Sequence, residues 1–331
     1  MKILIIGGTG NISYSCTMEA VRHRHDVTTL NRGTRKSIRP LPLLVHEMFG
    51  DVNNLLPWKD TYDVVIDFVC YTPEQAKQRV KLFSGRCGQY VFISTTAMYD
   101  REWPVNIPYK EGRAVGNPKW DYAKNKYDSE CMFNIYRIND GFLSTIVRPG
   151  HTYDTIIPCA IGNNCWTIAQ RIIDRKPIPV IGNGNTLWTL THSEDFSSAL
   201  ISLVEDPQSI GHTYHITSDE WLTWRQIYLL MAEELLHSWD VPVDFIQVPA
   251  EYIMKTNPYL GNGIVYHKQY CDIYDNSRIK ALLPDWKANI NFKAGIHRTI
   301  NWFRQDYKRM VVDKKLDQYL DHLCEKFGGE E

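Results

Sequence analysis

The chain has 331 residues, with 37 Lys and Arg against 38 Asp and Glu, so its net charge is −1. This balance excludes a general attraction to nucleic acid or to an anionic membrane. No apolar run reaches the ~18 residues that a membrane span needs, and the first residues lack the apolar stretch of a secretory signal. We therefore expect a cytoplasmic protein whose eight scattered cysteines are reduced thiols and hold no metal.

The first half of the chain alternates between short apolar segments and helical patterns. Strands are predicted at residues 3–6, 26–30, 43–48, 63–69, 90–94 and 143–148. Helices are predicted at residues 12–23, 73–83 and 120–137. Strands separated by helices form βαβ units, and right-handed crossovers produce a parallel sheet covered on both faces. The predicted fold is α/β, with a Rossmann-type doubly wound parallel sheet.

The second half is less regular. Short strands are predicted at residues 177–181, 187–191 and 212–216, and helices at 193–204, 223–236, 294–303 and 316–327. Ser193 is expected to cap the first of these helices. We expect residues 1–157 to form a dinucleotide-binding domain, to which the chain returns around 187–218. Residues 158–331 would then form mainly a smaller α/β substrate-binding domain.

The first predicted strand runs into the glycine-rich sequence GGTGNIS at residues 7–13, and a helix follows. A helix N-terminus offers unpaired N–H groups and a partial positive charge to an anion. Gly7 permits a tight turn, and Gly10 lets a pyrophosphate approach the backbone. Ser13 stands where a third glycine is expected, and its small side chain should preserve the site. The loop predicts dinucleotide contacts from Gly7, Thr9, Gly10, Asn11 and Ile12.

The residues after the second strand bear on the choice of cofactor. An Asp or Glu there would bind the ribose 2′-hydroxyl of NAD. The chain has Asn31 and Arg32 instead, with Arg35 close by, and a guanidinium suits a 2′-phosphate. We therefore favour NADP(H) over NAD(H). The alternative is that Arg32 stacks on adenine or faces solvent.

Tyr122 and Lys126 are four positions apart on a predicted helix and share one face. A phenol has a pKa near ~10, and a nearby ammonium lowers it. Such a tyrosine can exchange a proton with an alcohol or a ketone while a nicotinamide exchanges a hydride. Thr95, at the end of the fifth predicted strand, could orient the substrate oxygen. The same helix also carries Tyr127 and Lys124, so this pattern alone is not specific. The alternative is that Tyr122 and Lys126 are an ordinary solvent-exposed pair.

The glycine loop, the Ser-Thr-Thr run at residues 94–96 and the Tyr122-x-x-x-Lys126 pattern together resemble the short-chain dehydrogenase/reductase superfamily. The segments 148–150, 177–200 and 274–303 resemble motifs of its extended branch, the NAD-dependent epimerase/dehydratase family. The resemblance implies that Thr95 and Tyr122 are catalytic and that Lys126 binds the nicotinamide ribose. The other cofactor contacts that it implies are Asp51, Val52, Phe68, Val69, Cys70, Ser94, Pro149 and His151.

Three departures from the family pattern bear on the substrate. The 4,6-dehydratases follow the catalytic Thr with Asp-Glu, whereas residues 96–97 are Thr-Ala, so this activity is disfavoured. Many nucleotide-sugar members place a diphosphate-binding Arg where Trp188 stands. A second such Arg is not evident before the C-terminal motif, although His267 and Lys268 lie nearby. These departures weaken the prediction that the substrate is a nucleoside-diphosphate sugar.

These patterns predict an NAD(P)-dependent epimerase or reductase that acts on a hydroxyl or ketone of a sugar-like small molecule, with Tyr122 as acid/base. The substrate should lie between the sheet's carboxyl edge and the second half. Candidate substrate contacts are Tyr99, Trp103, Tyr153, Asn163, Asn164 and Trp188. Many family members dimerise through the helix that carries Tyr122, so a homodimer is a hypothesis.

A second hypothesis comes from atypical relatives that share the Asn-Arg-Gly turn at residues 31–33. Among them are chloroplast RNA-binding proteins, which need not keep the active-site tyrosine. The basic stretch at residues 22–25 would suit this class, that is, a cofactor-bound RNA-binding or regulatory protein. The retained Tyr122 and Lys126 and the net charge favour the enzyme, so we expect no nucleic-acid partner.

Overall fold

The computed structural model describes residues 1–34, 39–54, 59–101, 106–113, 116–239 and 241–329. The strands are β1 Lys2–Ile6, β2 Asp26–Asn31, β3 His46–Phe49, β4 Tyr62–Asp67, β5 Cys87–Ile93, β6 Ser144–Pro149, β7 His151–Tyr153, β8 Ile178–Ile181, β9 Leu187–Trp188, β10 Leu190–His192, β11 Thr213–Ile216, β12 Leu222–Thr223 and β13 Phe245–Val248. The α-helices are α1 Ser13–Arg22, α2 Pro73–Phe83, α3 Asp121–Asp140, α4 Thr167–Ile173, α5 Ser193–Glu205, α6 Trp224–Leu236, α7 Ala250–Thr256, α8 Pro258–Gly263, α9 Ser277–Leu282, α10 Phe292–Arg304 and α11 Lys314–Phe327.

Seven strands form one parallel sheet in the order β3-β2-β1-β4-β5-β6-β11. The central strand β1 is almost wholly apolar, and Ile3 to Ile6 are at most 1% exposed because helices cover both faces of the sheet. The strand order reverses between β1 and β4. In such sheets, ligands bind at the carboxyl ends of the strands beside this reversal. The prediction of a Rossmann-type α/β fold is confirmed.

The second half packs around its own core, in which Trp166, Trp188 and Trp224 are buried. Its strands form three short pairs, β7 with β10, β8 with β13 and β9 with β12. The chain also returns to the large sheet through β11. The predicted domain boundaries at residues 157 and 158 stay a prediction. In the part of the chain that the structure describes, no helix has the length and apolarity to cross a bilayer.

Three local predictions were wrong. The strand expected at residues 43–48 is β3, which begins only at His46, and the apolar Leu43 and Leu44 are exposed. The strand expected at 187–191 is two strands, because β9 pairs with β12 and β10 pairs with β7. His192, not Ser193, caps α5, since its ring accepts the amide of Glu194 at 3.3 Å.

Candidate active site and cofactor cleft

The glycine loop joins β1 to α1 and is held in shape by Ser13. Gly7 has a φ of +81°, and a Cβ there would lie 2.7 Å from a methyl carbon of Val69. The Ser13 hydroxyl donates to the carbonyl oxygen of Gly7 at 2.5 Å and accepts from the amide of Gly10 at 2.8 Å. Ser13 is 2% exposed. The serine therefore closes the loop with its own side chain.

The loop leaves donors at the start of α1. Within the described ranges, the backbone N–H groups of Asn11 and Ile12 have no acceptor. The helix cap at Ile12 makes no side-chain hydrogen bond. The Asn11 side chain instead binds the backbone of Thr152 and Thr155, at 3.3 and 3.2 Å, and so ties the loop to the segment around β7. Unpaired amides at a helix N-terminus suit a phosphate.

A cavity of about 390 Å³ lies beside the carboxyl ends of β1, β2 and β4. Asn31 accepts a hydrogen bond from the hydroxyl of Thr9 at 3.2 Å, while its own buried amide nitrogen has no partner among the described residues. Arg32 lines this cavity and is exposed. Asp51 and Val52 line it as well. Arg35 lies outside the described residues.

A second cavity, of about 440 Å³, adjoins the first. Both are lined by Gly7, Gly10, Val69 and Tyr71. The second cavity also brings together many of the predicted residues, namely Asn11, Ile12, Phe68, Ser94, Thr95, Tyr122, Lys126, Pro149, His151 and Asn164. The side chain of Cys70 is buried, and this residue reaches the site through its carbonyl group.

Lys126 lies at the base of the second cavity and is 2% exposed. Its Nζ donates to the carbonyl oxygens of Cys70 at 2.7 Å and Ile93 at 2.8 Å. These contacts use two of the three N–H donors of the ammonium group. Burial lowers the pKa of Lys126 to about 8. The third donor is left for a group that enters the cavity.

Tyr122 and Thr95 both line this cavity. Burial raises the pKa of Tyr122 above its ordinary value, and the neighbouring Thr95 hydroxyl lowers it by less. The sequence predicted that Lys126 would lower this pKa, and that prediction was wrong because the Lys126 ammonium is directed to two backbone carbonyls. The phenol of Tyr122 is therefore protonated at neutral pH and can donate a proton.

A buried polar network supports the floor of this cavity and was missed by sequence analysis. The Ser94 hydroxyl donates to Glu130 at 2.5 Å, and the guanidinium of Arg148 donates to the same carboxylate. Arg148 also donates to the phenol oxygen of Tyr99 at 2.6 Å. Glu130 and Arg148 lie on α3 and β6, so only the packing of that helix on the sheet joins them.

A third cavity, of about 670 Å³, lies between the N-terminal end of α3 and the segment that follows α8. Trp120, Asn163, His267 and Lys268 are among its lining residues. The Nζ of Lys268 donates to the carbonyl oxygen of Cys159 at 2.7 Å. Burial lowers the pKa of Lys268 below its ordinary value. This cavity is large enough for a small polar molecule that carries an anionic or carbonyl group.

The structure separates the predicted substrate contacts into three groups. Asn163 and Asn164 line cavities. Tyr99, Tyr153 and Trp188 are each at most 1% exposed and line none of these three cavities, so their aromatic rings serve the core and we no longer assign them to the substrate. Trp103 lies outside the described residues.

The residues present fit a nicotinamide dinucleotide. Two adjoining cavities follow the carboxyl edge of the sheet, and the start of α1 offers unpaired amides between them. The buried and unpartnered amide of Asn31 stands at one end, and the Lys126 ammonium stands at the other.

Known proteins resemble this chain in sequence. Residues 76–217 match the profile of the NAD dependent epimerase/dehydratase family. This match covers 142 of the 331 residues, which is less than half of the chain. A 2′-dehydrokanamycin reductase of Streptomyces kanamyceticus is 23% identical over 76% of this chain and 70% of its own length. The chloroplast stem-loop binding protein of 41 kDa b of Arabidopsis thaliana is 23% identical over 67% of this chain and 60% of its own length. A dTDP-glucose 4,6-dehydratase of Salmonella typhimurium is 23% identical over 72% and 63%.

Solved structures of epimerases share the fold of this chain. The UDP-glucuronic acid 4-epimerase of Bacillus cereus, solved in complex with NAD, superposes with a TM-score of 0.70 over 92% of this chain and 99% of its own. The sequence identity is 15%, so this likeness concerns the fold alone. It agrees with the predicted Rossmann-type α/β fold.

Proposed function

We propose that this protein is an NADP(H)-dependent reductase that acts on a ketone of a sugar-like small molecule. The observation that carries the proposal is that Thr95, Tyr122 and Lys126 line one cavity, which the glycine loop also lines. An acid and an orienting hydroxyl are thus assembled where the sheet topology expects a ligand.

The bound nicotinamide would supply the hydride for the carbonyl carbon. Tyr122 would donate its phenolic proton to the carbonyl oxygen and would regain a proton from solvent. Thr95 would hold that oxygen with its hydroxyl. The free N–H donor of Lys126 would bind a ribose hydroxyl of the cofactor. The raised pKa of Tyr122 favours this direction, because the group starts as an acid.

Arg32 supports the preference for NADP(H). It lines the adenosine end of the cleft beside Asn31, and no Asp or Glu stands at either position to bind a ribose 2′-hydroxyl. A guanidinium there would pair with a 2′-phosphate.

A 4,6-dehydratase stays disfavoured, although such an enzyme is among the relatives. Water elimination in that class uses an acid and a base after the catalytic Thr. Here Thr96 and Ala97 are buried, and among the described residues no Asp or Glu lines the cavity that holds Tyr122. An epimerase is the second candidate because epimerases share the fold. It would have to keep its cofactor bound through a full cycle.

Mass spectrometry of the dinucleotide released on denaturation separates these candidates. We expect a largely empty protein that binds NADPH reversibly, and NADPH oxidation when a panel of keto-sugars is added, with 2′-dehydrokanamycin included. A stoichiometric, tightly held NAD⁺ that is not exchanged would favour the epimerase. A protein that binds neither dinucleotide would refute both.

The relative that binds RNA stem-loops raises the RNA-binding alternative. In this chain, the basic stretch at residues 22–25 is largely engaged with acids, since Arg22 and His23 contact Glu19 and His25 contacts Glu205. These contacts reduce the positive charge offered to a phosphate backbone. We expect no mobility shift of a stem-loop RNA at protein concentrations that saturate NADPH binding.

A further inference from the structure

A cluster of two histidines and a glutamate lies at the opposite edge of the sheet from the cofactor cleft. His23 follows the last residue of α1, His25 directly precedes β2, and Glu205 is the last residue of α5. The sequence showed only a basic stretch here, because Glu205 is 180 residues away from His25. Helices α1 and α5 share one apolar core, in which Cys16 and Ala199 are buried. The three residues are therefore held by packed elements.

The nitrogen atoms of both rings meet one carboxylate oxygen. The Nδ1 of His23 lies 3.0 Å and the Nε2 of His25 lies 2.8 Å from Oε1 of Glu205. The ligand atoms of all three residues lie within 4.8 Å of one another. In a tetrahedral zinc site with bonds of about 2.0–2.2 Å, neighbouring ligand atoms are about 3.3 Å apart. A small shift of these side chains would move their ligand atoms apart to that distance.

The buried Nε2 of His25 lacks a hydrogen-bond partner among the described residues. Despite its short distance to Glu205, it makes no hydrogen bond of acceptable geometry with any described residue. A nitrogen that is buried without a hydrogen bond costs free energy. A metal ion between the ring and the carboxylate would satisfy both.

The surroundings of the two rings resemble the outer shell of a histidine metal site. The other nitrogen of His23, Nε2, lies 3.3 Å from the Glu19 carboxylate, and a carboxylate in that position orients a metal-binding ring. The α-amino nitrogen of Met1 lies 3.4 Å from Nδ1 of His25.

The backbone also favours a cation here. Both α1 and α5 end at the cluster, so the negative ends of two helix dipoles converge on it. Arg24, between the two histidines, has a φ of +61°, and this left-handed turn brings both rings to the same side. Non-glycine residues adopt this conformation at a cost.

We propose that His23, His25 and Glu205 bind one zinc ion, with water in the fourth position. Two imidazoles and a carboxylate are a ligand set that zinc accepts. The ion would join the end of α1 to the end of α5, at the edge of the sheet opposite the candidate catalytic residues. This proposal is independent of the proposed enzymatic activity.

Calorimetric titration of EDTA-treated, dialysed full-length protein with zinc chloride tests the site. We expect one zinc ion per chain, and at least tenfold weaker binding for Glu205→Gln and His25→Gln. The matched control is His297→Gln, which removes the histidine of a surface pair with Glu234 and should bind zinc like the wild type. Zinc should raise the melting temperature of the wild type and of the control, but not that of Glu205→Gln.

Two results would overturn the proposal. One is a wild-type protein that binds no zinc stoichiometrically. The other is binding that Glu205→Gln leaves unchanged, which would place the ion on other groups such as the eight free cysteines. If His25→Gln does not fold by circular dichroism, Glu205→Gln still decides, because the Glu205 side chain is 36% exposed and its loss leaves no cavity in the core.

Discussion

The hydroxyl of Ser13 donates a hydrogen bond to the carbonyl oxygen of Gly7 at 2.5 Å, and this contact closes the glycine loop. The hydroxyl oxygen of Ser13 in turn accepts a hydrogen bond from the amide of Gly10. A glycine at residue 13 would pack closely but would offer neither bond. The Ser13 hydroxyl therefore fixes the conformation of the loop. The amides of Asn11 and Ile12 remain available to a phosphate.

Ser13→Ala should destabilise the protein because it leaves the half-buried carbonyl of Gly7 and the amide of Gly10 without their hydrogen-bond partner. We expect the free energy of unfolding to fall by about 1–3 kcal/mol, with weaker dinucleotide binding. Urea unfolding and a titration with NADPH measure the two effects. Ser15→Ala is the control on the same helix, since its hydroxyl makes only a long contact of 3.4 Å with Asp154. Equal losses in both variants would contradict the role assigned to Ser13.

Tyr122→Phe should lower kcat for ketone reduction by about 10²–10⁴-fold, because it removes the proton donor. The fold should persist, since Tyr122 is 37% exposed and loses only an oxygen atom. Steady-state NADPH oxidation measures the loss, and NADPH affinity is checked in parallel. Tyr127→Phe, on the same helix, should keep full turnover. Unchanged turnover in Tyr122→Phe would assign the proton transfer to another group.

Arg32→Ala should lower the affinity for NADP⁺ by about tenfold, the effect of losing one charged contact to the 2′-phosphate. The affinity for NAD⁺ should stay nearly constant, because NAD⁺ lacks that phosphate. Asn31→Asp should shift the ratio further towards NAD⁺, since a carboxylate binds the ribose 2′-hydroxyl and repels the phosphate. Equilibrium titrations of each variant with both dinucleotides give the ratios. A ratio that Arg32→Ala leaves unchanged would remove the argument for NADP(H).

Lys126 should make stability depend on alkaline pH. Its pKa is lowered by burial to about 8 in the folded state, against 10.5 as the ordinary value. The unfolded chain then binds more protons between these values, so the free energy of unfolding should rise with pH across this window, by about 3 kcal/mol in total. Denaturant unfolding of the wild type and of Lys126→Met at several pH values isolates this contribution.

Lys126→Met should lose that slope, whereas Lys124→Met should keep it because Lys124 is exposed and paired with Asp128. The same slope in Lys126→Met and the wild type would show that the buried ammonium is not the source.

Local patterns were sufficient for much of the fold. The alternation of apolar strands with helices predicted the parallel sheet, since an apolar run such as residues 3–6 is stable only when both faces are covered. The pattern did not place the short strands β7 and β13, whose three or four residues carry little periodicity. It also misjudged Leu43 and Leu44, because apolarity alone does not show whether a partner covers a residue.

By itself, the sequence determined the strand–loop–helix unit at residues 1–22 and the spacing of Tyr122 and Lys126, because both depend on neighbours within a few positions. Only the tertiary structure decided what those residues meet. It placed the Lys126 ammonium against two carbonyls, joined Ser94 and Arg148 through Glu130, and brought His25 to Glu205. Such contacts link segments far apart in the chain, and their geometry is fixed by how helices and strands pack, which no local pattern records.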